Sequence, residues 1–485
     1  MKTSRMLPVS LAIAAVLVST VLVRASNAGR TWERTSFPGD TLSSEIGRIV
    51  AHPVDPDTIY VPTTQTPNPL ATSVPPGDGL FRTTDGGDTW TSINDGVLLP
   101  QYNVAELAVC RDFPDVMYAA TLQAGIFKTV DAGATWSDIS GGFSFGGSGF
   151  PNAQWGVLSV AVDPTNPDKV YMSVAQISGL DEMNPSPDHP GFYYSQDGGA
   201  TWIENNSGLP ARFDDPGDSR STTAVAASIA VLPQQPKVVL LGMLELDVNT
   251  VLFGGRNATS GGRMFVSRRS GTDSFVEVSS GLASDVTQSP EIGFSLARAS
   301  LSTLVLTVES GDDIGIWASH TGLTFDLGLS ETVAVTRGRG VYYTADGSWE
   351  ARNDGLPFVA SWVDPASTAG SEFRTENSIA TGAVAVAPGA LSRVGLVGAL
   401  RSDQGDASSN ATKVYATPRR AVPRWVQNWD AGLDVSPTLG YTEANAAFLA
   451  FNSDTSVAFA AISWSDDDVV ATANDDDGIY RLVIR

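Results

Sequence analysis

Residues 83–90 read Thr83-Thr84-Asp85-Gly86-Gly87-Asp88-Thr89-Trp90, and the same pattern returns twice without gaps. The copies are Thr129-Val130-Asp131-Ala132-Gly133-Ala134-Thr135-Trp136 and Ser195-Gln196-Asp197-Gly198-Gly199-Ala200-Thr201-Trp202. Their common form is Ser/Thr-x-Asp-x-Gly-x-Thr-Trp. Such a string describes a tight β-hairpin turn. The carboxylates of Asp85, Asp131 and Asp197 accept hydrogen bonds from turn amides, as Asx turns do. Gly87, Gly133 and Gly199 supply a positive φ at low steric cost. Trp90, Trp136 and Trp202 open the returning strand and pack their rings between neighbouring hairpins, with the indole N–H seeking an acceptor. All nine residues are therefore expected to be structural.

Working outward, each box follows a short apolar strand that begins at Gly79, Gly125 or Gly191. Further upstream lies a second repeat: Asp55-Pro56-Asp57-Thr58-Ile59-Tyr60, Phe113-Pro114-Asp115-Val116-Met117-Tyr118 and Asn166-Pro167-Asp168-Lys169-Val170-Tyr171. These are Pro-Asp turns between two strands. One unit reads as strand, Pro-Asp turn, strand, loop, strand, box turn, strand. That is a four-stranded meander of blade size. The class expected is all-β.

On these motifs the chain resembles the Asp-box, or BNR-repeat, β-propeller proteins, which include sialidases, xyloglucan-active glycoside hydrolases, sortilin-type receptors and photosystem II assembly propellers. The clear boxes cover residues 48–210, and degenerate units at 225–282, 292–356, 382–433 and 446–485 extend the likeness. The 225–282 unit has lost the box Asp and Trp. The 292–356 unit holds a shortened box ending at Trp349 and is long enough to hold an extra partial blade. The last unit stops at Gly478-Ile479-Tyr480-Arg481, a third strand lacking its fourth. The back half of a box, Asn27-Ala28-Gly29-Arg30-Thr31-Trp32, stands at the other end of the chain, and its strand is expected to pair with the last unit. The resemblance thus implies a single propeller of about seven blades, its ring closed by the N-terminal strand.

The first 28 residues read as an export signal: a basic start through Arg5, an uncharged, mainly apolar stretch over 6–23, and small residues at Ser26-Asn27-Ala28. Its length also fits an uncleaved anchor. Either way, residues 29–485, the propeller, are expected outside the cytoplasm.

The chain has 485 residues, only 17% of them charged, with a formal net charge of −23. That balance argues against nucleic acid and anionic headgroups, which need clustered Lys and Arg. A membrane contact is expected only through an uncleaved N-terminal segment. Cys110 is the sole cysteine, so no intrachain disulfide forms, and with three histidines the chain cannot assemble zinc, iron–sulfur or haem ligand sets. No cofactor is expected. The acidic runs Asp466-Asp467-Asp468 and Asp475-Asp476-Asp477 offer oxygen ligands of the kind Ca²⁺ takes, but neither has EF-hand spacing.

In a four-stranded meander the first-to-second and third-to-fourth turns share one face, so the boxes and Pro-Asp turns lie together. The long loops (64–79, 141–155, 177–190, 210–223, 243–262 and 357–378) fall on the opposite face, where binding residues tend to sit. They carry Trp155 and Trp362 beside acids such as Asp181 and Asp215. Aromatic platforms beside carboxylates suit neutral sugars, and carboxylates alone suit cations or basic peptides. These four residues are the candidate ligand face for a protein, peptide or glycan. They read equally well as solvated loop acids and loop-anchoring aromatics.

The resemblance also implies where an active site would stand. Xyloglucan-active relatives carry an Asp just after the second strand of the first blade, where this chain reads Tyr60-Val61-Pro62-Thr63-Thr64-Gln65. Sialidases carry an Arg-Ile-Pro motif, which does not occur here. A binding or interaction module is the reading that follows. Two alternatives stay open: a glycoside hydrolase built on a carboxylate pair such as Asp181 with Asp215, whose groups must stand about 5–10 Å apart, and a structural or assembly component of a cell-surface complex.

Overall fold

The computed structural model describes residues 31–39, 45–64, 77–94, 102–122, 124–141, 154–178, 191–209, 222–247, 257–280, 282, 284–288, 298–299, 304–308, 316–320, 324–326, 332–334, 340–344, 348–354, 356, 381–386, 395–401, 411–417, 425–427, 433, 444–464 and 478–484. Every regular element among them is a β-strand. No helix among the described residues is long and apolar enough to cross a membrane. The export segment at 1–28 lies outside them.

Antiparallel meanders account for almost all of the strands. Sheet I holds Glu45–Ile46 and Val50–Ala51, then Ile59–Thr64, Leu80–Thr83 and Thr91–Ser92. Sheet II holds Val104–Val109, Met117–Thr121, Gly125–Thr129 and Ser137–Asp138. Sheet III runs Gln154–Asp163, Asn166–Ser178, Gly191–Ser195, Ile203–Glu204, and sheet IV runs Thr222–Leu232, Gln235–Asp247, Asn257–Ser267, Val276–Glu277. Sheet V is Leu304–Val308, Ile316–His320, Gly340–Thr344, Glu350–Ala351; sheet VI is Thr381–Val386, Gly395–Arg401, Ala411–Thr417, Val426–Gln427.

Sheet VII draws on both ends of the chain. Ala444–Phe451, Val457–Trp464 and Gly478–Val483 are joined by Glu33–Arg34, in register Glu33↔Arg481 and Arg34↔Tyr480. An eighth, three-stranded sheet (Arg298–Ala299, Thr324–Asp326, Thr332–Ala334) is built from the connection into sheet V and from that sheet's second-to-third loop.

The order of strands within a sheet follows from their composition. First strands such as Val104-Ala105-Glu106-Leu107-Ala108-Val109 are small and β-branched. They meet the first strands of the neighbouring sheets in sequence order, and Val50–Ala51 meets both Val104–Val109 and Ala444–Phe451. Fourth strands are two residues long and, in the sheets whose side chains are described there, exposed. Short edges of this kind discourage edge-to-edge pairing.

The core lies between sheets. Tyr60, Leu80, Ile93, Leu107, Met117, Phe127 and Trp136 join I to II, and Phe37, Ile46, Ile59, Phe459 and Ile479 join VII to I. Trp32 is buried with Leu396, Val414 and Leu449 of sheets VI and VII. Burying such aromatic and aliphatic groups stabilises by roughly 1.5–3 kcal/mol per side chain.

Candidate functional site

The three box turns share one hydrogen-bond pattern. Thr83 Oγ1 donates to Asp85 Oδ1 (2.7 Å) and accepts from Gly87 N (2.9 Å). Thr89 then returns to the same carboxylate, its N–H to Oδ1 (2.8 Å) and its hydroxyl to Oδ2 (2.6 Å). Asp131 with Thr129 and Thr135, and Asp197 with Ser195 and Thr201, repeat the set. The glycines that turn the chain have φ of 98° (Gly87), 86° (Gly133) and 94° (Gly199). Hydrogen bonds to the charged form hold all three carboxylates at about 2, even though the groups are exposed. Each is ionised at neutral pH with both oxygens occupied, a geometry suited to fixing a turn rather than moving a proton.

Contacts between sheets extend the pattern. Trp136 Nε1 donates to Ile93 O (2.9 Å) and Trp202 Nε1 to Ile139 O (2.8 Å), each reaching the sheet before its own. Trp349 to Val278 O (2.8 Å) and Trp425 to Arg352 O (2.6 Å) continue the series into sheets V and VI. Trp90 differs: its indole nitrogen has no hydrogen-bond partner among the described residues, and its ring meets Phe37 edge-on at 5.1 Å.

Cations on third strands reach the other way. Arg82 donates to Ala132 O (2.9 Å), Lys128 to Gly198 O (3.3 Å) and Arg481 to Gly86 O (3.0 Å), each strapping the box turn of the next sheet. Within a sheet, the Pro-Asp turn meets the box turn through Gly86 N to Asp57 O, Ala132 N to Asp115 O and Gly198 N to Asp168 O. The two turn types therefore share a face, as the meander requires.

Sheet IV shows what replaces a lost box. Ser267 keeps the place of the first Ser/Thr, its hydroxyl accepting from Gly271 N (2.9 Å) and donating to Asp273, four residues after the lost aspartate's position. Phe275, 3% exposed, takes the Trp position and packs edge-on against Phe192 at 4.9 Å. The signal was present as Ser267-x-x-x-Gly271-x-Asp273-x-Phe275, with the acid moved to the far side of the glycine.

Sequence reasoning missed a polar relay between the first strands. Arg48 Nη1 donates to Glu106 Oε1 (3.1 Å), while Ser159 Oγ (2.5 Å) and Val160 N (3.1 Å) donate to Oε2. Ile229 N in turn donates to Ser159 Oγ (3.0 Å), so one chain of polar contacts joins sheets I, II, III and IV. Register shifts at Val104/Glu106, Val157/Ser159 and Ala226/Ser228 repeat at matching places. Bulges of this kind re-aim side chains. Burial raises the pKa of Glu106, opposed chiefly by Arg48, and it is the one carboxylate among the described residues displaced upward. Its sequence signal was a lone acid inside an apolar strand.

The opposite face is more built-up than the loops implied. Trp155 lies in the strand Gln154–Asp163, its backbone paired with Gln176; Asp181, Asp215 and Trp362 lie outside the described residues, as do the acidic runs at 466–468 and 475–477. Much of 243–262, expected as a loop, is strand instead. Gln235–Asp247 and Asn257–Ser267 run on as a ladder, and Ser284–Gln288 pairs with Asn257–Gly261. Leu244-Glu245-Leu246-Asp247 alternates with the period of a strand, which is the signal that was passed over. At about 3.4 Å per residue, this upper part of sheet IV adds a wall about 17 Å tall. The three-stranded sheet at 298–334 belongs to the same face. Among the described residues, no group of three His, Cys, Asp or Glu side chains is placed to hold a metal ion.

Meanders with touching first strands and exposed fourth strands match known structures. The GH74 xyloglucanase of Xanthomonas campestris superposes with a TM-score of 0.50 at 16% identity, covering 93% of this chain and 55% of that one. The fold is a β-propeller. A GH74 enzyme from Niastella koreensis gives 0.47 at 16% identity, over 93% of this chain and 53% of its own. YCF48 bound to D1 peptide gives 0.44 at 11% identity, over 94% and 97%. The chain spans about half the length of the GH74 enzymes it resembles. No protein-family model matches the chain, and no curated protein does. At these identities the likeness extends to the propeller fold and no further.

Proposed function

We propose that this propeller is an exported, non-catalytic binding module of Asp-box type, working through the face opposite the boxes. The observation that carries this reading is the wall of sheet IV, with Ser284–Gln288 added to it and the three-stranded sheet built from neighbouring connections. These elements extend one face, while the described turns of the box face in sheets I, II and III are short. Rigid strands beneath long connections make a scaffold for recognition. The contacts of Val50–Ala51 with both neighbouring first strands favour a closed ring of seven blades, and a closed disc holds such a wall in place.

The ligand is a protein, peptide or neutral glycan, with Trp155, Asp181, Asp215 and Trp362 as the residues to test first. Hydrolysis is the second reading, favoured only by the GH74 likeness. The chain has Thr63-Thr64-Gln65 where those enzymes are expected to carry an acid.

The experiment is a screen of the purified mature protein against polysaccharides, a glycan array and a peptide array, read for binding and for released reducing sugar. Saturable binding without release, weakened by Trp155→Ala, is the expected result. Released sugar would place the chain among hydrolases. Silence in every channel would sink the loop-face reading.

A further inference from the structure

Six large apolar side chains are exposed among the described residues, and four of them share one region. Val54 (68% exposed) lies in the Pro-Asp turn of sheet I and Phe113 (49%) in that of sheet II. Val130 (64%) lies in the box turn of sheet II, and Val483 (44%) ends the third strand of sheet VII, the corresponding place. All four are on the box face, on three consecutive sheets. The other two, Ile203 and Val276, belong to fourth-strand edges.

The turns that carry these residues are held together. Asn452 Nδ2, in the first turn of sheet VII, donates to Pro56 O (3.2 Å) in the turn of Val54. His52 of that turn feels the charge of Asp115, in the turn of Phe113. Arg481 and Arg82 strap the box turns of sheets I and II. The apolar side chains thus stand on a braced surface, where exposure costs no local order.

Around them, among the described residues, aspartates outnumber the cations. Asp55, Asp85, Asp112, Asp131 and Asp454 all have pKa values held below the ordinary carboxylate range by hydrogen bonds, so each is ionised at neutral pH. Among the described residues, the cations of these turns are held in fixed places: Arg82 on Ala132 O, Lys128 on Gly198 O, Arg481 on Gly86 O and Asp88 (2.7 Å), and Arg111 on Asp112 (2.8 Å), the last two each offsetting one aspartate. Burial lowers the pKa of His52, whose Nδ1 accepts from Val54 N and Asp55 N, so it adds no charge. Carboxylates alone would make only a solvated face. Apolar side chains set among an excess of fixed carboxylates complement a polypeptide that brings both positive charge and apolar groups.

We propose that the box face of sheets VII, I and II is a second interaction surface, whose occupant is a cationic, apolar-bearing peptide segment of a partner protein. Phe113 and Val54 supply the apolar contact and the turn aspartates the charge complement. This surface is independent of the wall on the opposite face.

The test uses the full mature chain and three labelled synthetic peptides of equal length: alternating Lys-Leu, alternating Lys-Ser and alternating Glu-Leu. Lys-Leu is expected to bind at least tenfold more tightly than either control, and to weaken severalfold when salt is raised from 50 to about 300 mM, as screened charge pairs do. The Val54→Ser/Phe113→Ser double variant should lose at least tenfold, whereas Ile203→Ser/Val276→Ser should leave binding unchanged. All substituted positions are exposed, and unchanged thermal melts confirm that each variant is folded. Equal binding of Lys-Leu and Lys-Ser, or equal loss in the two double variants, would overturn the proposal. Hydrogen-exchange protection at 52–58 and 110–116 by Lys-Leu supports it, and protection confined to the wall of sheet IV refutes it.

Discussion

Trp136 Nε1 donates to the carbonyl of Ile93, 2.9 Å away and 43 positions earlier in the chain. One bond thus fixes the box of sheet II to the outer strand end of sheet I, and the same relationship recurs at Trp202, Trp349 and Trp425. Trp136→Ala removes a ring that is 2% exposed, and a loss of about 3–5 kcal/mol follows from such truncations. Trp136→Phe keeps most of the packing but strands the Ile93 carbonyl, for about 1–3 kcal/mol. Trp90→Phe should cost less than Trp136→Phe, because Trp90 has no acceptor to lose. Urea midpoints of the three variants give the ranking, and an equal loss at positions 90 and 136 would contradict it.

The box aspartates make stability depend on acid. Asp85, Asp131 and Asp197 fall from 3.8 to about 2 in the folded chain. A depressed carboxylate stabilises above its unfolded value, and that contribution is lost as pH falls through the folded value. Melting temperature should therefore drop between pH 4 and 2. A variant with all three changed to Asn should be less stable at pH 6 and have a flatter profile across that window. A profile as steep as the wild type would remove the boxes as its cause.

Glu106 behaves with the opposite sign. Its carboxyl is raised above 4.5, so the stability tied to the protonated form is complete below that value and lost as pH rises through the folded one. Arg48 limits the loss by pairing at 3.1 Å. Arg48→Met should cost about 1–3 kcal/mol at pH 7, at the low end because the Arg48 side chain is 30% exposed. The deficit should shrink as pH is lowered and Glu106 takes up a proton. Glu106→Gln in the same background should abolish that pH dependence. Denaturant titrations at pH 4.5 and 7 separate the cases.

Gly87 stands where the two ends of the chain meet. Its φ is 98°, and an added Cβ would lie 2.7 Å from Thr35 Cγ2 on the N-terminal strand. Gly87→Ala should lower stability by roughly 1–3 kcal/mol, the scale of strained backbone positions. Thr35→Ser removes the clashing methyl and should restore part of that loss, leaving the φ strain. No recovery in the double variant would show that backbone strain alone sets the cost.

Much of the repeat was legible because its devices are local. The Asp85, Asp131 and Asp197 turns need only residues within a few positions, so the string itself specifies their bonds. The chain ends were legible for a related reason: Trp32 and its strand have box chemistry without a box, and Gly478–Val483 lacks a fourth strand to match. The wall of sheet IV was less visible, since Gly261 and Gly262 break its alternation and read as loop. Asp273 was missed because it does the work of an aspartate from the position of a threonine.

The sequence by itself determined the all-β class, the turn chemistry and the order of strands within each meander. Those follow from residue types at fixed short spacings. Tertiary structure alone decided which carbonyl each indole reaches, which turn each cation straps, and that Arg48, Glu106 and Ser159 meet. Arg48 lies 58 positions from Glu106 and Ser159 lies 53 from it. Contacts at that separation depend on how neighbouring sheets pack and where their bulges aim the side chains, and no local pattern encodes either.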